Sequence, residues 1–383
     1  MKILICTGIY PPDIGGPATY SKLVSEELVK HGHHVNILTY GNSKIANDKL
    51  LITNVSRKLP TILRYVEYFF RVLDMGRDFD IIYVMDPVSV GFPATLANLI
   101  LRKKIVLKVV GDYAWEQSQQ ITNDKLLITN LDSFYPFQED RYPSKIRRFK
   151  KIQLWVARRV DKIVTPSFYL KNILINGWGI DDKKIEVIYN SFNVYSAVIA
   201  SGVHSEANGV AWQSHNLKLL SVGRLVPWKG FVELANIVNN IEEVSLEIIG
   251  TGTEKDNIKT SDKVKLLGQL SHEDVVQKMC SANLFILNTS YEGLSHVVLE
   301  AMAVGLPVLI STAGGNKELV GENEERGYLF EYNNKVQIKE KIEYIKNHQE
   351  EVKEKAKKAQ EFVSSFNKEK MIERLLDLFN SLN

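Results

Sequence analysis

The chain has 383 residues, more than one compact core usually holds, so length alone suggests two domains. Apolar residues make up 45% and charged residues 24%, the balance of an ordinary soluble globular protein, and the formal net charge is only +3. That charge gives no case for nucleic acid, and no run of about 18 apolar residues is present to span a bilayer.

In chain order, KILICTGIY (2–10) reads as a buried strand, PPDIGGPA (11–18) as a Gly/Pro loop, TYSKLVSEELVKHG (19–32) as a helix and HHVNILTY (33–40) as a second strand. One βαβ unit at the start implies a parallel sheet. The apolar stretch ahead of Pro11 is too short for a signal peptide. Cys6 and Cys280 lie far apart in apolar or helical contexts, which fits a reduced, cytosolic setting better than a disulfide scaffold. The pattern continues through IIYVM (81–85), a helix at FPATLANLI, KIVLKVV (104–110), a basic helix around KIQLWVARRV, then DKIVTPS and KIEVIYN.

From Ser191 to Asn216 the periodicity fades into a Ser/Asn/Gly/Ala-rich stretch that reads as a linker. A second α/β series follows in LKLLSVG (217–223), SLEIIG (245–250), KVKLLGQ (263–269), LFILNTS (284–290) and PVLIST (307–312). The expected fold is α/β, with two doubly wound, Rossmann-like domains, residues 1–190 and 217–365, facing across a cleft. The tail from about 366 to 383 ends in the amphipathic MIERLLDLFNSL, which needs a surface to pack on. The amino-terminal domain is one candidate for that surface.

Two constellations in the second half carry chemistry. In NTSYEGLSHVVLEAMAVGLPV (288–308), a strand delivers the chain to Glu292, and Gly293 lets backbone approach a ligand. Ser295 is placed to cap a helix whose free N–H groups suit a phosphate. Glu300 falls about a turn into that helix among apolar neighbours and needs donors, for which sugar hydroxyls serve. The plainer alternative has Glu292 capping the helix and Glu300 paired with a lysine. In SVGRLVPWKGF (221–231), Arg224 and Lys229 flank a loop between a strand and a helix start, at the sheet edge where α/β proteins bind ligands.

GRLVPWKG, EGLSHVVLE, AMAVGLPVLIS and GGNKELV, together with the opening GIYPPDIGGPATYSKLVSEELVKHGHHVNILTY, resemble the retaining glycosyltransferases of family 4, which have the GT-B fold. The resemblance implies a nucleotide-sugar donor, with Arg224 and Lys229 on its diphosphate. It also implies Glu292 on the donor sugar, Glu300 on the ribose, and backbone amides of Gly293, Leu294 and Ser295 facing sugar and diphosphate. Gly15 and Gly16 would close over the donor from the amino-terminal domain. A glycan or lipid-linked acceptor, no metal and no cofactor complete the expectation. The departure is at VLKVVGDYAWEQ (106–117): where many relatives carry a histidine, this chain has Gly111 and Asp112. Asp112 is thus a candidate catalytic residue, with Glu116 a weaker one and a helix N-cap the alternative for Asp112.

Other signals have structural readings. DFD (78–80) matches a D-x-D metal motif but precedes a strand, at the wrong edge, and GTGTE (250–254) lacks the third glycine of a dinucleotide loop. Segments 57–74 and 147–159 mix basic and aromatic residues at helical spacing. They suit either peripheral contact with the inner membrane face or a helix packed on the sheet with a solvated basic face. A nucleotide-sugar epimerase and a non-catalytic nucleotide-sugar-binding protein are the competing functions.

Overall fold

The computed structural model describes residues 1–13, 15–43, 50–121, 142–191 and 216–382, apart from the side chains of 119–121. All of the linker expected at 191–216 except its two end residues lies outside them. By compactness the chain divides into two units, one running from Met1 to Asn190 and resuming at Glu369, the other from Ser191 to Lys368.

In the first unit, β1 (Lys2–Thr7), α1 (Gly16–Lys30), β2 (His34–Tyr40), β3 (Leu50–Val55), α2 (Thr61–Met75), β4 (Ile81–Val84), α3 (Gly91–Leu101), β5 (Lys104–Lys108) and α4 (Tyr113–Ile121) alternate in βα fashion. They are followed by α5 (Ser144–Arg159), β6 (Lys162–Thr165), α6 (Phe168–Asn172) and β7 (Ile185–Val187). The strands form one seven-stranded sheet in the order β3-β2-β1-β4-β5-β6-β7, parallel throughout. Ile5 of β1 is level with Ile37 on one side and, on the other, with Tyr83 of the central strand β4. Ile3 to Thr7 are all buried, as a strand covered on both faces requires.

In the second unit, β8 (Leu217–Val222), α7 (Phe231–Asn239), β9 (Val244–Ile249), β10 (Val264–Gly268), α8 (His272–Ser281), β11 (Leu284–Leu287) and α9 (His296–Ala303) repeat the theme. Then come β12 (Val308–Ser311), α10 (Asn316–Val320), β13 (Tyr328–Phe330), α11 (Lys335–Asn347) and α12 (Gln349–Val363). The six strands run parallel in the order β10-β9-β8-β11-β12-β13.

The last helix, α13 (Lys368–Asn380), belongs to the first unit. Its Met371, Ile372, Leu375, Leu378 and Phe379 share a core with Ile3, Ile5, Val24, Tyr83 and Ile188. The amphipathic face read from MIERLLDLFNSL therefore lies against the sheet that begins the chain. The D-x-D pair has a structural use: the Asp80 carboxylate accepts from the Lys2 backbone N–H at 2.7 Å, tying β1 to the start of β4.

Candidate functional site

The strand order of the second sheet reverses between β8 and its neighbour β11, the position where open α/β sheets hold ligands. The loops leaving the carboxyl ends of these two strands carry Arg224 and Lys229 on one side and Glu292 on the other. Lys229 Nζ donates to Glu292 Oε1 in an ion pair whose side chains are only 15% and 13% exposed. Arg224 is exposed, and its guanidinium has no hydrogen-bond or ion-pair partner among the described residues.

Backbone contacts fix this geometry. A tight 3₁₀ turn at Pro227–Lys229 ends on Gly230 at φ +56°, where a Cβ would stand 2.5 Å from the Asn288 carbonyl oxygen, so only glycine fits. The Trp228 carbonyl accepts from Ser290 N (2.8 Å) and Thr289 Oγ1 (3.1 Å), joining the lysine loop to the glutamate loop. Asn288 Nδ2 donates to Gly230 O (3.1 Å), and Gly315 N donates to Glu292 O (2.9 Å). GTGTE leads from β9 into a short 3₁₀ turn at Lys255–Asn257 and braces the arginine loop, with Leu225 N on Thr251 O and Glu254 N on Leu225 O, both 2.9 Å. A Cβ at Gly250 would meet the Gly223 carbonyl oxygen at 1.9 Å, which explains its glycine.

Gly293, Leu294 and Ser295 are buried between Glu292 and α9. Ser295 occupies the N-cap position, but its side chain makes no capping bond, so the cap expected of its hydroxyl is absent. Glu300 lies in the second turn of α9 and meets His272 Nε2 at 3.2 Å, rather than a lysine. That hydrogen bond and the carboxylate charge raise the His272 pKa. His272 opens α8, held there by Ser271, whose hydroxyl caps Asp274 N at 3.1 Å. Sequence reasoning missed His272 and Asn288; neither has a local pattern, because each is recruited by a partner distant in the chain.

Gly15 and Gly16 belong to the first unit, at the start of α1, where the Gly15 carbonyl accepts from Ala18 N at 3.0 Å. Asp112 needs correction as a catalytic candidate. It is 1% exposed, and its carboxylate accepts from Trp115 N (2.9 Å), Gln153 Nε2 (3.1 Å) and Trp178 Nε1 (2.9 Å). With both oxygens taken up in capping α4 and joining it to α5 and Trp178, Asp112 is structural.

A cavity of about 620 Å³ opens at the carboxyl edge of the first sheet. Glu116 lines it, together with Arg64, Lys108 and Lys145, which the sequence had not singled out. The signal for Lys108 was a lone cation inside the apolar run KIVLKVV. Burial pushes its ammonium down to about 7. Between that value and the ordinary lysine value of 10.5 the unfolded chain binds a proton that the folded chain has released. Stability should therefore rise with pH across this window, and Lys108→Met should flatten the rise in urea midpoints.

The two basic segments differ: α5 buries Ile146, Val156 and Ala157 and exposes Arg148, Lys151, Arg158 and Arg159, the packed helix with a solvated basic face, whereas the outer face of α2 is largely apolar. On α2, Ile62, Leu63, Val66 and Phe70 are exposed, while Arg64 turns to the cavity. On α5, Lys150 is buried against Trp178, and burial lowers its pKa to about 8. No described helix is long and apolar enough to cross a membrane.

Residues 14–194 match the model of Glycosyltransferase Family 4, and residues 206–362 that of Glycosyl transferases group 1. An uncharacterized glycosyltransferase of Haemophilus influenzae is 31% identical over 380 residues, covering 94% of each chain. The UDP-Gal:alpha-D-GlcNAc-diphosphoundecaprenol alpha-1,3-galactosyltransferase of Escherichia coli is 26% identical over 52% of this chain and 54% of its own. The structure of Anabaena HepE, solved with UDP and glucose, superposes with a TM-score of 0.75 over the whole of both chains at 18% identity. The family matches and the shared fold agree with the motifs gathered on β8 and β11: the chain belongs to the group 1, family 4 glycosyltransferases, enzymes with two Rossmann-like domains of the GT-B class.

Proposed function

We propose that the chain is a retaining, metal-independent glycosyltransferase. Its second unit binds a nucleoside-diphosphate sugar, and its first unit binds a glycan or lipid-linked acceptor. The observation that carries this reading is the enclosed Lys229–Glu292 pair, its lysine on the loop that also carries the exposed Arg224, at the point where the strand order reverses. Two cations there answer the two phosphates of a leaving group, and the start of α9 adds backbone donors. HepE, solved with UDP and glucose, and the galactosyltransferase of Escherichia coli, named for a UDP-sugar, support the donor class.

In the proposed step the acceptor hydroxyl oxygen bonds to the anomeric carbon on the face from which the diphosphate leaves. The bond from that carbon to the phosphate oxygen breaks, and the hydroxyl proton passes to the departing phosphate. Arg224 and Lys229 stabilise the negative charge as it develops, without a metal. Glu292, released from Lys229 once phosphate competes for the ammonium, holds the sugar hydroxyls, and Glu300 holds the ribose.

The test begins with thermal shifts on a panel of nucleotide sugars, where a ligand at 100 times its Kd stabilises by about 2.7 kcal/mol. Transfer with the best donor follows, with the anomeric configuration read by NMR. Glu292→Gln should keep nucleotide binding and lose at least ~10-fold in transfer, the worth of one charge-assisted hydrogen bond. Unchanged transfer would remove Glu292 from the site, and epimer formation without acceptor would favour the epimerase alternative.

A further inference from the structure

The cavity of the first unit is lined by more basic side chains than acidic ones. Arg57, on its rim, is matched by an ion pair with Asp13. Arg64, Lys108 and Lys145 have no carboxylate at ion-pair distance among the described residues. Arg64 lies over the Tyr40 ring at 5.5 Å and spends one Nη2 donor on Thr61 Oγ1, while its buried Nε has no partner. Lys108 gives one hydrogen bond, to Asn190 Oδ1 at 2.7 Å, and sits 4.5 Å over the Tyr20 ring, so its nitrogen keeps donors in reserve, and a bound anion would favour its protonated form. Lys145 faces the Phe149 ring at 5.8 Å.

Two acids, Asp86 and Glu116, line the same hollow. Asp86 directs its carboxylate to Val88 N, Ser89 N and the Ser89 hydroxyl of its own loop. A buried guanidinium nitrogen without an acceptor costs free energy unless a ligand supplies one. All three cations, together with Tyr65 and Tyr113, line one hollow at the carboxyl ends of the strands.

We propose that this cavity takes an acceptor bearing a phosphate or diphosphate, its anionic group met by Arg64, Lys108 and Lys145. The inference rests on the transferase reading above and names the acceptor class of that reaction. Such an anion comes from either a lipid carrier or a water-soluble sugar phosphate. The helix that supplies Arg64 and Tyr65 also exposes Ile62 (78%), Leu63 (54%) and Val66 (45%), an apolar strip that a lipid chain would cover.

The test titrates the full chain with farnesyl diphosphate, inorganic pyrophosphate and farnesol, in saturating UDP so that the anion site of the second unit is filled. Farnesyl diphosphate should bind, and Arg64→Ala/Lys145→Ala should weaken it by about 10-fold or more per side chain while leaving UDP affinity within twofold. Buried Lys108 is left intact so that folding is not at stake.

Equal affinity for pyrophosphate and farnesyl diphosphate identifies a soluble phosphate acceptor. A tenfold preference for the farnesyl ester, abolished by Leu63→Ser/Val66→Ser, identifies a lipid carrier. Undiminished binding in the double alanine variant, farnesol binding as tightly as its diphosphate, or no binding of either anion overturns the proposal. UDP failing to bind would instead count against the donor assignment, and the anion titrations are then read on Arg224→Ala protein without nucleotide.

Discussion

Arg224→Ala should lower turnover at saturating acceptor by ~100-fold or more, the value of about 3 kcal/mol of leaving-group stabilisation. The variant is informative because the guanidinium has no hydrogen-bond or ion-pair partner to lose among the described residues. Removing an exposed side chain with no structural contact shifts stability by less than about 0.5 kcal/mol, so a fall in activity reports on chemistry. Lys229→Ala should show a similar fall with a stability penalty added, because it strands the Glu292 carboxylate in an enclosed loop. Comparing urea midpoints with kcat for the two variants separates the effects. Near-normal turnover in both would refute the assignment of these cations to the diphosphate.

Phe379→Ala should destabilise the first unit by ~3–5 kcal/mol, the range for truncating a fully buried aromatic. Phe379 is 0% exposed and meets Tyr83 edge-on, ring centres 5.4 Å apart at 76°. The cavity would open against β1 and β4, where Ile3, Ile5 and Tyr83 are packed without exposed surface. Hydrogen exchange gives the signature: amides of β1 and β4 lose protection, whereas those of β8 and β11 keep theirs. Equal loss in both units, or none, would contradict the placement of α13.

The parallel character of both sheets was legible in the βαβ succession, with short apolar runs such as ILIC, LFIL and VLIS set between helical patterns. Two edge strands were not legible. Leu50–Val55 is buried only at its two ends, with Leu51 exposed and the rest half-buried, and Tyr328–Phe330 is three residues long, so neither presents a periodic signal. The donor-side residues stood out because strand, loop and helix follow one another in sequence. Arg64 did not stand out, because the direction of one cation on an amphipathic helix depends on tertiary packing. Asp112 shows the converse failure: a carboxylate after a strand fits substrate and helix cap alike, and only Gln153 and Trp178, distant in sequence, decide between them.

The return of α13 to the sheet that opens the chain bears on biosynthesis. The ribosome completes β7 roughly 190 residues before it finishes the helix that covers that sheet. At ~5–20 residues per second, the nascent sheet waits on the order of 10–40 s with an uncovered apolar face. Translation products that stop short of the closing helix should therefore expose the apolar face that Met371, Ile372, Leu375 and Phe379 cover, and aggregate more readily than the full chain.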